Sequence, residues 1–193
     1  MKRTLLVAAL LCVAARLSAQ VPVPFATAED RFLCFANGRF ENLEPRPPAM
    51  LHAMEGQLVY RDHQGVLKIF IPDGRRMHLL DRGGSSPIGT RKRIAWLSAD
   101  TLKTLTEGRA RVLATNVAEF GVSDSLIVLH DTAMRELRVI HRRAAHIVAA
   151  VERGSERPQW LLGPDAMVFF NKEARRLSMY RRGKVRVLSD STD

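Results

Sequence analysis

Five times along this chain, two short strand-like runs meet at a tight two-residue turn. RFLCFA and RFENLEP meet at Asn37-Gly38, IFIP and RRMHLL at Asp73-Gly74, KTLT and RARVLA at Glu107-Gly108, RVIH and AAHIVA at Arg142-Arg143, and SMYR and KVRVLS at Arg182-Gly183. A type I′ turn needs φ > 0 at both central residues, which Asn tolerates and Gly adopts freely, so Asn-Gly between apolar runs is a strong hairpin signal. The turns follow one another at intervals of 36, 34, 35 and 40 residues. A hairpin that returns with such a period implies a repeat architecture, in which each unit buries its faces against its neighbours.

The units after the first hairpin each divide into four short runs. In the second they are Met50 to Met54, Gln57 to Arg61, Val66 to Ile71 and Arg75 to Leu80, separated by Gly56, by Asp62-His63-Gln64-Gly65 and by Asp73-Gly74. The third unit offers Pro87 to Gly89, Arg93 to Leu97, Thr101 to Leu105 and Arg109 to Ala114. The fourth offers Glu119 to Val122, Ser125 to Leu129, Glu136 to Ile140 and Ala144 to Ala149, and the fifth Gln159 to Leu162, Ala166 to Phe170, Arg176 to Tyr180 and Lys184 to Leu188. Runs of this length bounded by turn residues predict strands. Second runs such as Leu58-Val59-Tyr60, Ile94-Ala95-Trp96, Ile127-Val128-Leu129 and Val168-Phe169-Phe170 are continuously apolar, as strands covered on both faces are. Last runs such as Arg109-Ala110-Arg111-Val112 and Lys184-Val185-Arg186-Val187 alternate, as half-exposed outer strands do. Arg135 to Ala150 has apolar residues near helical spacing, but its place in the period and the β-branched Val139, Ile140, Ile147 and Val148 predict strand.

Four strands per unit, inner ones apolar and outer ones amphipathic, predict an all-β fold: a β-propeller of four-stranded antiparallel blades. In that pattern residues 31–188 resemble exported bacterial propellers of the broad TolB-like and NHL-like type. The resemblance lies in the repeat; the chain has no repeated Trp-Asp ending, Tyr-Trp-Thr-Asp box or kelch double glycine. It implies the architecture and no functional residue. The count is about four to five blades, with the first incomplete unless the Pro-spaced lead-in, residues 20–30, supplies a strand. Residues 31–193 are read as one propeller-like domain. An open first blade exposes an edge that invites a second subunit, so a homo-oligomer is an expectation.

The first residues read as an export signal. Lys2-Arg3 precede an apolar stretch from Leu5 to Ala15, too short to span a membrane, and Leu17-Ser18-Ala19 offers a cleavage site after residue 19. Leu11 before Cys12 is not the small residue that a lipid-attachment signal wants. The expected location is periplasmic or secreted, with no transmembrane segment in the mature chain. After cleavage only Cys34 remains, with no partner for an intrachain disulfide; among Phe32, Leu33 and Phe35 it reads as a small buried hydrophobe.

Chemistry is sparse. His141 and His146 flank a turn, yet neither has a nearby Asp, Glu or Cys, and His52, His63, His78 and His130 are scattered over different units, so no metal or cofactor is expected. Asp62 and Asp131, with Asp100 near the same place, could gather carboxylates on one face, but Asp there more simply closes a turn. Ser98, Ser123 and Ser125 lack a Gly-x-Ser-x-Gly context, and Gly83-Gly84-Ser85-Ser86 lacks the Lys and helix of a phosphate cradle, reading instead as a flexible loop. No catalytic residue is assigned.

The basic excess is the stronger signal: 30 Lys and Arg stand against 20 Asp and Glu, a net charge of +10. Arg75, Arg76, Arg91, Lys92, Arg93, Arg142, Arg143, Arg181 and Arg182 fall mostly at turns and predict a basic rim that attracts acidic surfaces. Nucleic acid fits poorly, because an exported chain rarely meets it and no aromatic-plus-basic stacking motif is present. The leading expectation is a non-enzymatic binding module of the cell envelope that recognises a protein or an anionic envelope polymer. The alternatives are a hydrolase or lyase using loop carboxylates on one propeller face, and a structural subunit that closes its ring by oligomerising.

Overall fold

The computed structural model describes residues 21–54, 56–152, 158–171 and 174–190. The expected export signal, residues 1–19, lies outside them. All nineteen regular elements among them are strands, arranged in five antiparallel sheets. The first blade is β1 (Val23–Ala26), β2 (Phe32–Ala36) and β3 (Arg39–Glu44), in that order. The second is β4 (Met50–Met54), β5 (Gln57–Arg61), β6 (Val66–Ile71) and β7 (Arg76–Arg82); the third is β8 (Ser85–Gly89), β9 (Ile94–Ser98), β10 (Thr101–Thr106) and β11 (Arg109–Ala114). The fourth is β12 (Val117–Val122), β13 (Leu126–Asp131), β14 (Glu136–His141) and β15 (Ala144–Ala150); the fifth is β16 (Trp160–Leu162), β17 (Ala166–Asn171), β18 (Arg176–Arg181) and β19 (Lys184–Asp190). Strands neighbouring in sequence are neighbours in every sheet. The stretch with helical spacing is the hairpin β14–β15, and the lead-in supplies β1, so the first blade has three strands among the described residues.

The described residues form two compact units, one running to Gln64 and including Lys68–His78, the other comprising Gly65–Leu67 and everything from Leu79 onward. In the first unit the core gathers Phe32, Cys34, Ala36, Leu58, Tyr60 and Phe70. In the second, one cluster joins Ala95 and Leu102 to Val117, Phe120, Ile127 and Leu129, and another joins Leu126, Val128, Leu137 and Val139 to Met167, Phe169 and Tyr180. Each cluster draws on two successive blades, so face-to-face packing of blades is what buries the apolar second and third strands.

The turns follow the residue chemistry with two departures. Asn37-Gly38 and Glu107-Gly108 have φ of 52° and 74°, and of 54° and 75°, as type I′ turns require. In the second blade the positive pair is Gly74-Arg75, at 77° and 51°, rather than Asp73-Gly74, because Pro72 starts a longer loop closed by an Arg75 N–H to Pro72 C=O bond of 3.0 Å. In the fourth blade Arg142 and Arg143 both take φ > 0, at 51° and 73°, with no glycine to relieve them. The 83–86 segment is no loose loop either: a Cβ on Gly84 would stand 3.0 Å from Leu67 Cδ2 and Trp96 Cδ1, so a close approach requires the glycine. Ser85 and Ser86 already belong to β8.

Four outer strands carry the same irregularity. Register slips at Leu43, Leu113, Val148 and Leu188, five residues beyond the turn in each case. A bulge leaves such a residue without a cross-strand partner and re-aims its side chain. Leu43, Leu113 and Val148 pack against the core clusters.

Candidate anion-binding groove

In an antiparallel blade read in chain order, the loop joining strands one and two lies at the same end as the turn joining strands three and four. The basic rim residues therefore collect at one end of their blades: Arg75 and Arg76 at the β6–β7 loop, Arg91 to Arg93 at the β8–β9 loop, Arg142-Arg143 at the β14–β15 turn, and Arg181 and Arg182 at the β18–β19 turn. The structure brings only some of them together. Lys92, Arg93 and Arg143 border one groove of about 610 Å³ between the third and fourth blades, with Arg111 as a fourth cation. Its apolar wall is Leu105, Val112, Leu113, Ile127, Ile140 and Ala145. Arg75 is held 2.6 Å from Glu41 beside a separate cavity of about 380 Å³, and Arg181 and Arg182 border a third, of about 370 Å³. Arg76, Arg91 and Arg142 are exposed and line none of these three.

The groove is understood by aligning blades on their turns. Phe35, Phe70, Leu105, Ile140 and Tyr180 hold one position, the last residue but one of the strand that enters the hairpin turn. Tyr180 is 1% exposed and plugs the junction of the fourth and fifth blades, its ring centroid 6.3 Å from that of His141 and 5.6 Å from that of His146. At the junction of the third and fourth blades the plug is Ile140, and the residues equivalent to His141 and His146 are Thr106 and Arg111. A smaller side chain facing a hydroxyl and a flexible guanidinium leaves the space open.

Four cations and one acid, Glu107, border the groove. Glu107 lies 3.4 Å from Arg111, both exposed, and Lys92 lies 3.8 Å from Asp124, also in the open. Such exposed pairs hold their partners weakly and can yield to a ligand. Burial, together with Arg142, His146 and Arg93, pushes the His141 imidazole below its ordinary pKa, which marks the positive potential at this end of the blades. The left-handed backbone of Arg143 costs roughly 1 kcal/mol that a glycine would avoid, and strain of this kind gathers at binding sites. Sequence reading missed Arg111, whose place in an alternating outer strand looked like ordinary half-exposure, and missed Ile140, which is informative only beside Tyr180.

The carboxylates considered for catalysis are engaged elsewhere. Asp62 accepts the Gln64 N–H at 2.8 Å and pairs with Lys68 at 2.8 Å; Asp131 accepts the Met134 N–H at 2.9 Å and pairs with Arg138 at 3.1 Å. Asp100 bonds Thr101 in its turn. Ser123 and Ser125 both donate to the Pro164 carbonyl, at 3.1 and 2.7 Å, tying two loops together. Cys34 is fully buried, and burial with nearby Glu41 raises its thiol to about 11. Among the described residues no group of three or more His, Cys, Asp or Glu is placed to hold a metal ion, and no helix is long and apolar enough to cross a membrane.

Two further acids are structural. Glu44 accepts from Tyr60 Oη at 2.9 Å and Lys68 Nζ at 2.6 Å, and Asp81 accepts from Trp96 Nε1 at 3.1 Å and Lys103 Nζ at 2.6 Å. In both cases an acid late in an outer strand meets an aromatic of the next blade's second strand and a lysine of its third. The corresponding trio is Ala114, Leu129 and Arg138 at the fourth blade and Ala149, Phe169 and Ser178 at the fifth. Strand register sets that match, since Leu129 stands opposite Arg138 and Phe169 opposite Ser178; it moves the fifth blade one residue from the simple alignment of apolar runs.

Similarity to solved structures shows the fold alone. The chain aligns with Kluyveromyces lactis Hsv2 with a complete loop 6CD at 9% identity and a TM-score of 0.57, over 89% of this chain and 59% of that one. It aligns with human WBSCR16 at 8% and 0.53, over 85% and 60%, and with the computationally designed Ika8 protein at 11% and 0.51, over 89% and 59%. The chain thus spans about three fifths of the length of these structures. No curated protein matches it. A family model described as the 10-bladed beta propeller domain matches residues 16–193, and on that match the chain belongs to this β-propeller family.

Proposed function

We propose that the chain is an exported, non-enzymatic binding module of the cell envelope, of the TolB-like and NHL-like kind, and that it holds an acidic, partly apolar segment of a partner protein in the groove between its third and fourth blades. The observation that carries this reading is the pairing of an apolar wall, Leu105, Leu113, Ile127 and Ile140, with a rim of Lys92, Arg93, Arg111 and Arg143. A volume near 610 Å³ lies within the ordinary range of binding pockets, roughly 300–1,000 Å³. A fully hydrophilic polyanion would leave the wall wet, and an acyl chain would leave the rim uncompensated. An extended peptide with alternating acids and apolar side chains satisfies both. The outer edge of β11, next to the groove, adds backbone groups to which such a peptide can bond.

The test is titration by calorimetry with an acetylated peptide alternating glutamate and leucine, against polyglutamate of equal length. The alternating peptide should bind about tenfold more tightly or better, an apolar gain of roughly 1.4 kcal/mol or more. Equal affinities would reduce the groove to a nonspecific basic surface. For export, N-terminal sequencing of the mature protein should begin at Gln20; an uncleaved Met1 contradicts it.

A further inference from the structure

The two ends of the third and fourth blades differ in charge. At the end that carries the hairpin turns, the connections supply Arg91, Lys92, Arg93, Arg142 and Arg143 against Glu107 and Asp124. At the other end the connections Ala99-Asp100, Thr115-Asn116 and 132–135 supply a single cation, Arg135, and a single acid, Asp100. Both acids of the basic end are already engaged, Glu107 with Arg111 and Asp124 with Lys92. Among the described residues, Arg91, Arg93, Arg142 and Arg143 pair with no acid.

These cations are nevertheless held in one row. The Lys92–Asp124 pair bridges the third and fourth blades, Arg93 and Arg143 border the same groove, and Ser123 and Ser125 tie the fourth blade to Pro164 of the fifth. The connections are two to four residues long, so their tips have little room to move apart. Like charges fixed side by side repel, and the left-handed backbone of Arg142 and Arg143, at φ of 51° and 73°, adds strain. An anionic surface laid against this end relieves the repulsion.

The chemistry of the tips selects the kind of surface. Residues 90–93, Glu107-Gly108, 123–125 and Arg142-Arg143 are polar or glycine throughout. A stable protein interface is built round a desolvated apolar or aromatic anchor, and single-stranded nucleic acid stacks on aromatic rings. These tips offer neither. A layer of lipid phosphates asks only for positive charge spread along a face. We infer that the turn end of the third and fourth blades docks on an anionic lipid bilayer, with Arg91 and Arg142 as contacts outside the peptide groove.

The test is co-sedimentation of the purified protein with vesicles of phosphatidylcholine alone, and of phosphatidylcholine with about one third phosphatidylglycerol. Binding to the anionic vesicles should be about tenfold tighter or more, and should weaken as salt rises. Arg91→Gln and Arg142→Gln should each cost about fivefold, and together about twenty-five-fold, with an unchanged thermal melt. Arg135→Gln removes the same charge at the opposite end and should change affinity by less than about twofold. Equal binding to the two vesicles, indifference to Arg91→Gln and Arg142→Gln, or an equal loss in all three variants would overturn the inference. Complete displacement by duplex DNA at equal phosphate concentration would overturn it in favour of a soluble polyanion. Lys92, Arg93, Arg111 and Arg143 are left intact, so the peptide titration of the groove succeeds or fails on its own.

Discussion

The two last blade junctions are built on one plan and differ at a single kind of position. Between the fourth and fifth blades, Tyr180 is buried against His141 and His146, and the junction is shut. Between the third and fourth, Ile140 faces Thr106 and Arg111, and a groove of about 610 Å³ remains. The backbone hydrogen-bond pattern is shared: Tyr180 pairs with Val185 and Ile140 with Ala145 across their hairpins. The difference is therefore one of side-chain volume and charge laid on a repeated frame. A repeat fold needs the frame at every junction, but it can open one junction to a ligand while its neighbours keep the core dry.

The largest expected effect comes from making the closed junction resemble the open one. Tyr180→Ile removes a fully buried ring and should cost about 2–4 kcal/mol in chemical denaturation. A loss below about 1 kcal/mol would mean that the ring does not hold the junction. The second break concerns the polar support at Asp81. Burial raises its pKa, but the bonds from Lys103 and Trp96 outweigh burial and hold the carboxyl below its ordinary 3.8. A carboxylate with a depressed folded pKa contributes stability that is present above its unfolded pKa and is lost as pH falls through the folded value. Asp81→Asn should therefore cost about 2 kcal/mol at neutral pH, and the gap from wild type should narrow below pH 3.8. A gap that does not change with pH would show that the ionised carboxyl is not what matters.

A third substitution separates strain from support. Arg143→Gly supplies the residue that the turns at Gly38, Gly108 and Gly183 already have, and should stabilise the chain by about 1 kcal/mol. The same change should weaken peptide binding several-fold. A gain in stability with unaltered binding would detach Arg143 from the groove. The smallest effect is expected at Cys34, where burial and a thiol held near 11 predict negligible reaction with a thiol reagent in the native chain at neutral pH. Rapid labelling would place it at the surface instead.

Much of this frame was legible in the residues. Asn37-Gly38, Glu107-Gly108 and Arg182-Gly183 mark hairpins by local backbone chemistry, and the strands of the second to fifth blades follow from apolar runs between turns. The edge position of the lead-in was legible too: Pro22 and Pro24 cannot donate to a ladder, and β1 lies at the edge of its sheet among the described residues. The groove was less accessible. Arg93 and Arg143 are 50 residues apart in the chain and meet only through blade packing. The Glu44–Tyr60–Lys68 and Asp81–Trp96–Lys103 clusters likewise join three strands each. Seeing that Ile140 stands where Tyr180 stands requires counting back from the turn, a count that simple alignment of the apolar runs shifts by one in the fifth blade.

The central claim is that an absent ring makes the binding groove, and Ile140→Tyr restores the ring. Calorimetric titration of wild type and Ile140→Tyr with the alternating glutamate–leucine peptide, each checked for an unchanged fold by its thermal melt, tests this directly. The account predicts that the variant loses at least tenfold in affinity, about 1.4 kcal/mol or more, while the stability changes by less than about 1.5 kcal/mol. Undiminished binding by a folded Ile140→Tyr variant would contradict it.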